Sequence, residues 1–325
     1  MAASSRGHQA LMGMSPSYAF NGDTASAVSV SLPIQFRNES VRKIATHIQT
    51  EGITGASQRI ADDVCDGTYR VSGSILIVPK PVMLDGLLNK IQGAAEVVTD
   101  LFNPAEALPE FVLQIDRKLH VYAYDHCVVS RARFFSSKGQ PLLLELGVEG
   151  RKAGAHATTT FTAGSPGAAG TFPTLTLETL QPYMHHQLVF TIGGEAYECD
   201  NFELIIDNVL DTERFNNSQT RTELPKTDRI VTVRATFPYT STEALELTEL
   251  ATAGVAATAQ FTRGARSLLF TFGKLQKPDE HPVVEGPQSE ITQTITFNAR
   301  KVAGTGAGLA TSATHDCTAT NDTTP

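Results

Sequence analysis

Apolar and polar residues alternate with a period of two through much of this chain. In CDNFELIIDN (199–208), Phe202, Leu204 and Ile206 fall on one side, and Asn201, Glu203 and Asp207 on the other. In LLLELGVEG (142–150), Leu142, Leu144, Leu146 and Val148 oppose Glu145 and Glu149. RIVTVRATF (229–237) and ITQTITFNAR (291–300) repeat the pattern, with Val231, Val233, Phe237, Ile291, Ile295 and Phe297 opposite Thr232, Arg234, Thr236, Thr292, Thr294, Thr296 and Asn298. Successive side chains on a strand point to opposite faces, so these are strands with one dry and one wet face, as in an antiparallel, half-solvated sheet.

Further strands are read at RVSGSILIVP (70–79), which stops at Pro79, and at AATAQFT (256–262) and RSLLFTFG (266–273). FVLQI (111–115) and LHVYAY (119–124) form a hairpin around Asp116-Arg117-Lys118. CVVSRARFF (127–135) and LLLELGVEG form another. QLVFTI (187–192) and AYECDNFELII (196–206) flank Gly193-Gly194, a hairpin turn signal. Helical spacing appears in VMLDGLLNKI (82–91), where Met83, Leu84, Leu87, Leu88 and Ile91 share one face, and in TEALELTEL (242–250). VRKIATHIQ (41–49) is read as a short helical turn, with Ile44 and Ile48 four apart.

These elements give a mainly β fold: an antiparallel β-sandwich or barrel with short flanking helices. Arg70 to Pro79 and then a helix matches Arg229 to Pro238 and then a helix at a constant spacing of 159 residues, so two tandem copies are one reading and two unrelated strand–Pro–helix segments the other. The expected organisation is an N-terminal arm (1–33), a first β lobe (34–152), a Gly/Ala/Thr-rich loop or linker (153–178), a second β lobe (179–303) and a flexible C-terminal tail (304–325).

Composition narrows the function. The chain has 325 residues, 41% hydrophobic and 18% charged, with no Trp. The formal net charge of −8 argues against a protein that grips nucleic acid through its phosphates, which needs a basic surface. Cys65, Cys127, Cys199 and Cys317 are scattered and are read as unpaired thiols. The N-terminus lacks the apolar run of a signal peptide, and the longest charge-free stretch is too rich in Gly, Thr, Ser and Pro to span a membrane. The expectation is a protein made in the cytoplasm and not inserted in a membrane.

No hydrolase elbow, zinc-protease helix, P-loop or EF-hand loop is present. Gly304–Gly308 opens no helix and is not a dinucleotide fingerprint. His185-His186 are adjacent, so on a strand they face opposite ways and make a poor metal pair. Asp62, Asp63 and Asp66 lack a regular ligand spacing and read as a solvated turn. No catalytic residue, metal site or cofactor is expected. The wet faces that carry Glu145 and Glu149, and Glu203 and Asp207, are acidic with no compensating Lys; ordinary solvated surface is one reading, and an acidic lining facing something anionic is the other.

The order of elements resembles the phage tail tube proteins, also called major tail proteins. RVSGSILIVPKPVMLDGLL (70–88) resembles that family's strand-then-helix entry. HCVVSRARFFSSKGQPLLLELGVEG (126–150), FELIIDNVLDTERFNN (202–217), RIVTVRATFPYTSTEALELTEL (229–250) and SLLFTFGKLQKPDEHPVVEGPQSEITQTITFNARK (267–301) follow in the same sequence of strands. The resemblance covers about residues 35 to 302, and the stretch 153–173 and the C-terminal tail depart from it. It implies a non-enzymatic structural protein of the virion tail that assembles with itself into stacked rings. Those rings are hexameric, or trimeric when each chain holds two tube folds. The genome would pass through the lumen without specific binding, Glu145, Glu149, Glu203 and Asp207 would line that lumen, and other tail proteins would meet the tube ends. Two alternatives stand beside it: a β-sandwich binding module for carbohydrate or a host surface, and another tail component such as a tail terminator.

Overall fold

The computed structural model describes residues 10–15, 30–49, 64–96, 100–118, 120–154, 178–238, 254–277, 291–302 and 315–323. In the first half, the strands are β1 (Leu11–Met14), β2 (Leu32–Pro33), β3 (Phe36–Glu39), β4 (Arg42–Gln49), β5 (Val64–Ile77), β6 (Leu101–Phe102), β7 (Phe111–Asp116), β8 (Val121–Ser137), β9 (Leu143–Gly150) and β10 (Lys152–Ala153), with helix α1 (Pro81–Gln92) after β5. The second half holds β11 (Leu188–Ile192), β12 (Glu195–Tyr197), β13 (Asn201–Leu210), β14 (Lys226–Pro238), β15 (Val255–Arg263), β16 (Arg266–Gln276), β17 (Thr292–Arg300) and β18 (Cys317–Asp322). The fold is mainly β and antiparallel, as the alternation predicts.

The two halves share one strand order. In the first it runs β2-β1-β7-β8-β9-β5-β4, with β3 also on β5 and β10 on β8. In the second it runs β12-β11-β15-β16-β17-β14-β13, with β18 on β16. The two sets meet without a break where β8 pairs with β13, from Asn201 opposite Ser137 to Asp207 opposite Arg131. The sequence spacing of 159 would set Val71, which is buried, against Ile230, which is exposed. Matching buried faces instead puts Val71, Ile75 and Ile77 on Val231, Ala235 and Phe237, one position further along. A one-residue slip inverts every side chain of a strand, so the face and not the letter match sets the correspondence.

Three segments differ from the sequence expectation. VRKIATHIQ is not helical; residues 42–49 form β4 against β5. A spacing of four keeps Ile44 and Ile48 on one side in a strand as well as in a helix, so that pair does not separate the two states. Within the expected flexible tail, residues 317–322 form β18, which pairs with β16 and β6 and buries Cys317 and Ala319 completely. Within the expected arm, β1 pairs with β7 and buries Met12 and Met14. The expected helix at 242–250 and most of the 153–178 stretch lie outside the described residues.

A single large hydrophobic cluster runs through both halves. Phe190 is packed edge-on against Phe202 and Phe297 and stacked on Phe237, with ring centroids 5.6, 6.5 and 6.1 Å away. Each such buried ring removes enough apolar area from water to contribute about 2–3 kcal/mol. Helix α1 starts at Pro81, whose missing N–H costs nothing at that position. Its free N-terminal amides at Val82 and Met83 donate to the Glu178 carboxylate at 3.0 Å, a cap delivered from far along the chain. Asn321 of β18 donates to the carbonyl of Pro81 at 2.7 Å and to Asp85 at 2.5 Å, which locks the C-terminal strand to the helix.

Candidate functional site: a polar sheet face and an open edge

The alternation of β5, β9, β8, β13, β14 and β17 places their polar positions on one continuous face. Cross-strand register carries it from Ser72 opposite Glu149, through Glu145 opposite Arg133, Arg133 opposite Ile205 and Glu203 opposite Arg234, to Arg234 opposite Thr296. All four acidic positions picked from the sequence lie on it.

The face is not an acidic one. Arg133 Nη1 lies 3.4 Å from Glu145 Oε2, and Arg133 Nε is hydrogen-bonded to Glu203. Burial opposes the charge of Arg133, but its bonds to Glu203 and Glu145 outweigh that and raise its pKa. Asp207 is directly opposite Arg131. Glu149 accepts from Ser72 Oγ at 2.7 Å and from Arg221 Nη1 at 2.6 Å. Arg42, Arg70 and Arg234 share the face by alternation. The expectation looked for lysines on the same strand, whereas the compensating charges are arginines on neighbouring strands. Arg131 and Arg133, two apart in CVVSRARFF, were the sequence signal for this.

The edge of this sheet formed by β3 and β4 pairs only with β5 among the described residues. Every residue of β4 except Ile44 is exposed. Ile48 and Val64, on adjoining strands at the far end, are 57% and 51% exposed. An edge of this length with apolar side chains in water is a pairing liability for a lone chain. The junction of β3 and β4 is tied to the rest of the sheet. Arg117 forks onto Glu39 with bonds of 2.9 and 3.0 Å and donates to the Val41 carbonyl at 2.9 Å. Where the β3–β4 junction crosses β5, a Cβ on Gly73 would come within 2.4 Å of the Val41 Cα, so only glycine allows that approach.

The other groups singled out by sequence are structural. His185 is buried, with Nδ1 2.9 Å from Ser136 Oγ and Nε2 2.8 Å from the Cys199 carbonyl oxygen. Asp66 pairs with His47 at an exposed site, whereas Asp62 and Asp63 lie outside the described residues. The four cysteines are free. Among the described residues no group of three His, Cys, Asp or Glu side chains is placed to hold a metal, and no helix is long and apolar enough to cross a membrane.

An antiparallel sheet built from two halves of one strand order, with a polar face and an edge that carries no further strand among the described residues, fits a structural protein. The family comparison agrees: the model of the phage tail tube protein family matches residues 16–299, and the chain belongs to that family. It is therefore a structural tail tube protein of a phage virion. No curated protein compared with it matches.

Proposed function

We propose that this chain joins copies of itself edge to edge into rings of three, that the rings stack into the tail tube, and that the genome passes along the polar sheet face. The observation that carries this is the β8–β13 junction. It is a seam between two units of the same strand order, formed inside one chain. The element of the first unit that corresponds to β13 is β3–β4, and its edge carries no strand among the described residues. A seam of the same kind between chains satisfies that edge. Six units per ring, which the family resemblance implies, then require three chains, and the expected hexamer becomes the second reading. Ring-on-ring contacts are heterologous and so extend into an open tube, and other tail proteins would meet its ends.

A lumen of this face suits passing DNA because Arg133 is already engaged and Arg131 and Arg234 lie directly opposite Asp207 and Glu203. A guanidinium bound by Glu203 and Glu145 has less to offer a phosphate than a free one, and Ser and Thr fill the positions between. DNA then releases few counterions and slides. Glu145, Glu149, Glu203 and Asp207 act here as partners of arginine and not as a repelling lining. The binding-module reading lacks the Trp residues that sugar stacking would favour. Native mass spectrometry of the smallest ring tests the proposal. Three chains of 34.9 kDa support it, six support the hexamer, and a monomer that persists at high concentration, with no rings by negative-stain microscopy, overturns it.

A further inference from the structure

The internal seam has a second component. The connection between β13 and β14 (211–225) folds back onto the first unit, across the start of β5 and the end of β9. The Gln219 carbonyl accepts from the Tyr69 amide at 2.8 Å. Arg221 donates to Glu149 at 2.6 Å, and Arg151 Nε donates to the Arg221 carbonyl at 3.1 Å. One loop of the second unit thus caps the end of the first unit's sheet.

The matching end of the second unit, where β14 starts and β17 finishes, is a cleft of about 640 Å³ lined by Lys226, Asp228, Arg229, Arg300, Lys301 and Asp316, among others. Arg229 has a side chain only 8% exposed, and its Nη1 is buried without a hydrogen-bond partner among the described residues. In the first unit, the stretch that corresponds to 211–225 is the β4–β5 connection, residues 50–63. Both stretches carry Ser-Gln just ahead of an arginine: Ser57-Gln58-Arg59 and Ser218-Gln219-Thr220-Arg221. Residues 50–63 hold Glu51, Asp62 and Asp63 against the single Arg59, whereas the cleft sets Lys226, Arg229, Arg300 and Lys301 against Glu106, Asp228 and Asp316, and Arg300 and Lys301 stand beside the Arg229–Asp316 pair.

We infer that this cleft seats the β4–β5 connection of a second copy of the chain, so that each chain caps its neighbour as its own second unit caps its first. The inference rests on the ring reading above. It adds a contact that edge pairing alone does not require. Opposite charges across it would also steer the two chains into register.

Carbodiimide coupling of the unmodified full-length chain tests it. Rings are co-assembled from ¹⁴N- and ¹⁵N-labelled chains, coupled, digested and read by mass spectrometry. The expected product joins Asp62 or Asp63 to Lys301 as mixed-label pairs, and it is lost when the chains are diluted to monomers. Rings that assemble without this product overturn the inference and leave the ring reading standing. Same-label pairs alone also overturn it, because the cleft is then filled from within its own chain. If the chain forms no rings, the ring reading fails and takes the inference with it.

Discussion

Arg221 Nη1 lies 2.6 Å from Glu149 Oε2, and this contact ties the connection between β13 and β14 to strand β9 of the other half. The Arg221 side chain is 1% exposed, and its Nε also donates to the Thr212 carbonyl at 2.8 Å. Removing the cation leaves the Glu149 carboxylate, only 18% exposed, with Ser72 Oγ as its remaining donor and no countercharge, and takes the Arg221 donor from the half-buried Thr212 carbonyl. Arg221→Ala should therefore cost about 3 kcal/mol, in the range for breaking a buried pair from one side. Glu149→Gln in the same background should recover part of that loss. Thermal or urea unfolding of the single and double variants checks both, and additive losses would show that the two residues do not interact.

Lys90 sits inside α1 at 2% exposure. It donates to the Gly86 carbonyl at 3.1 Å and lies 5.7 Å from the Phe111 ring centre. Burial pushes its pKa down to about 8. The unfolded chain then holds more protons than the folded one between pH 8 and the ordinary lysine value near 10.5, so stability rises with pH across that window. Below pH 8 the cost of a buried charge is felt in full. Lys90→Met should stabilise the protein at pH 7 by about 2 kcal/mol, with the gain shrinking between pH 8 and 10.5. Denaturant midpoints for both proteins at pH 7 and pH 10 measure this, and equal gains at the two values would refute it.

Much of this architecture could be read from the sequence. Strict alternation in 199–208 and 142–150 marked β13 and β9, and Gly193-Gly194, with φ of 65° and 98°, marked the β11–β12 turn. Two kinds of feature could not be read. The first is β18, CTATND, which has no aromatic and no hydrophobic period. Its small side chains fit a slot between α1 and β16, where Phe270 and Phe272 already supply the bulk, so packing against partners and not its own polarity makes it a strand. The second is charge pairing across strands. Glu203 looks acidic on its own strand, and only the register places Arg133 and Arg234 beside it. The β3–β4 edge, open among the described residues, was hidden for the same reason, since an edge is a property of what pairs with a strand.

That pairing makes Glu203 the position where the lumen proposal is most exposed. Glu203→Gln keeps the size and the hydrogen-bonding oxygen but removes the charge that engages Arg133. In the proposed rings every copy carries the change, and each Arg133, left with Glu145 as its one carboxylate partner, can hold a phosphate and release a counterion. Tubes should form normally while genome ejection slows, with the slowing relieved at higher salt. Ejection kinetics from virions carrying the variant, measured at two ionic strengths, decide it. Ejection that is unchanged at both would remove this face from the lumen.

The β4–β5 end offers a test of assembly that spares the fold. Ile48 and Val64 are more than half exposed, so the folded monomer gains little from them. Ile48→Asp with Val64→Asp should change the unfolding free energy by no more than about 1 kcal/mol, the usual scale for two surface changes. The same pair places two carboxylates on an edge that has to be desolvated when a neighbour pairs with it, which costs several kcal/mol at each seam. Rings should then be lost at concentrations where the parent forms them, with circular dichroism unchanged and melting shifted only slightly. Sedimentation velocity read beside thermal unfolding separates the two effects. A variant that still assembles at the parent's concentration would show that this end of the sheet faces solvent in the tube.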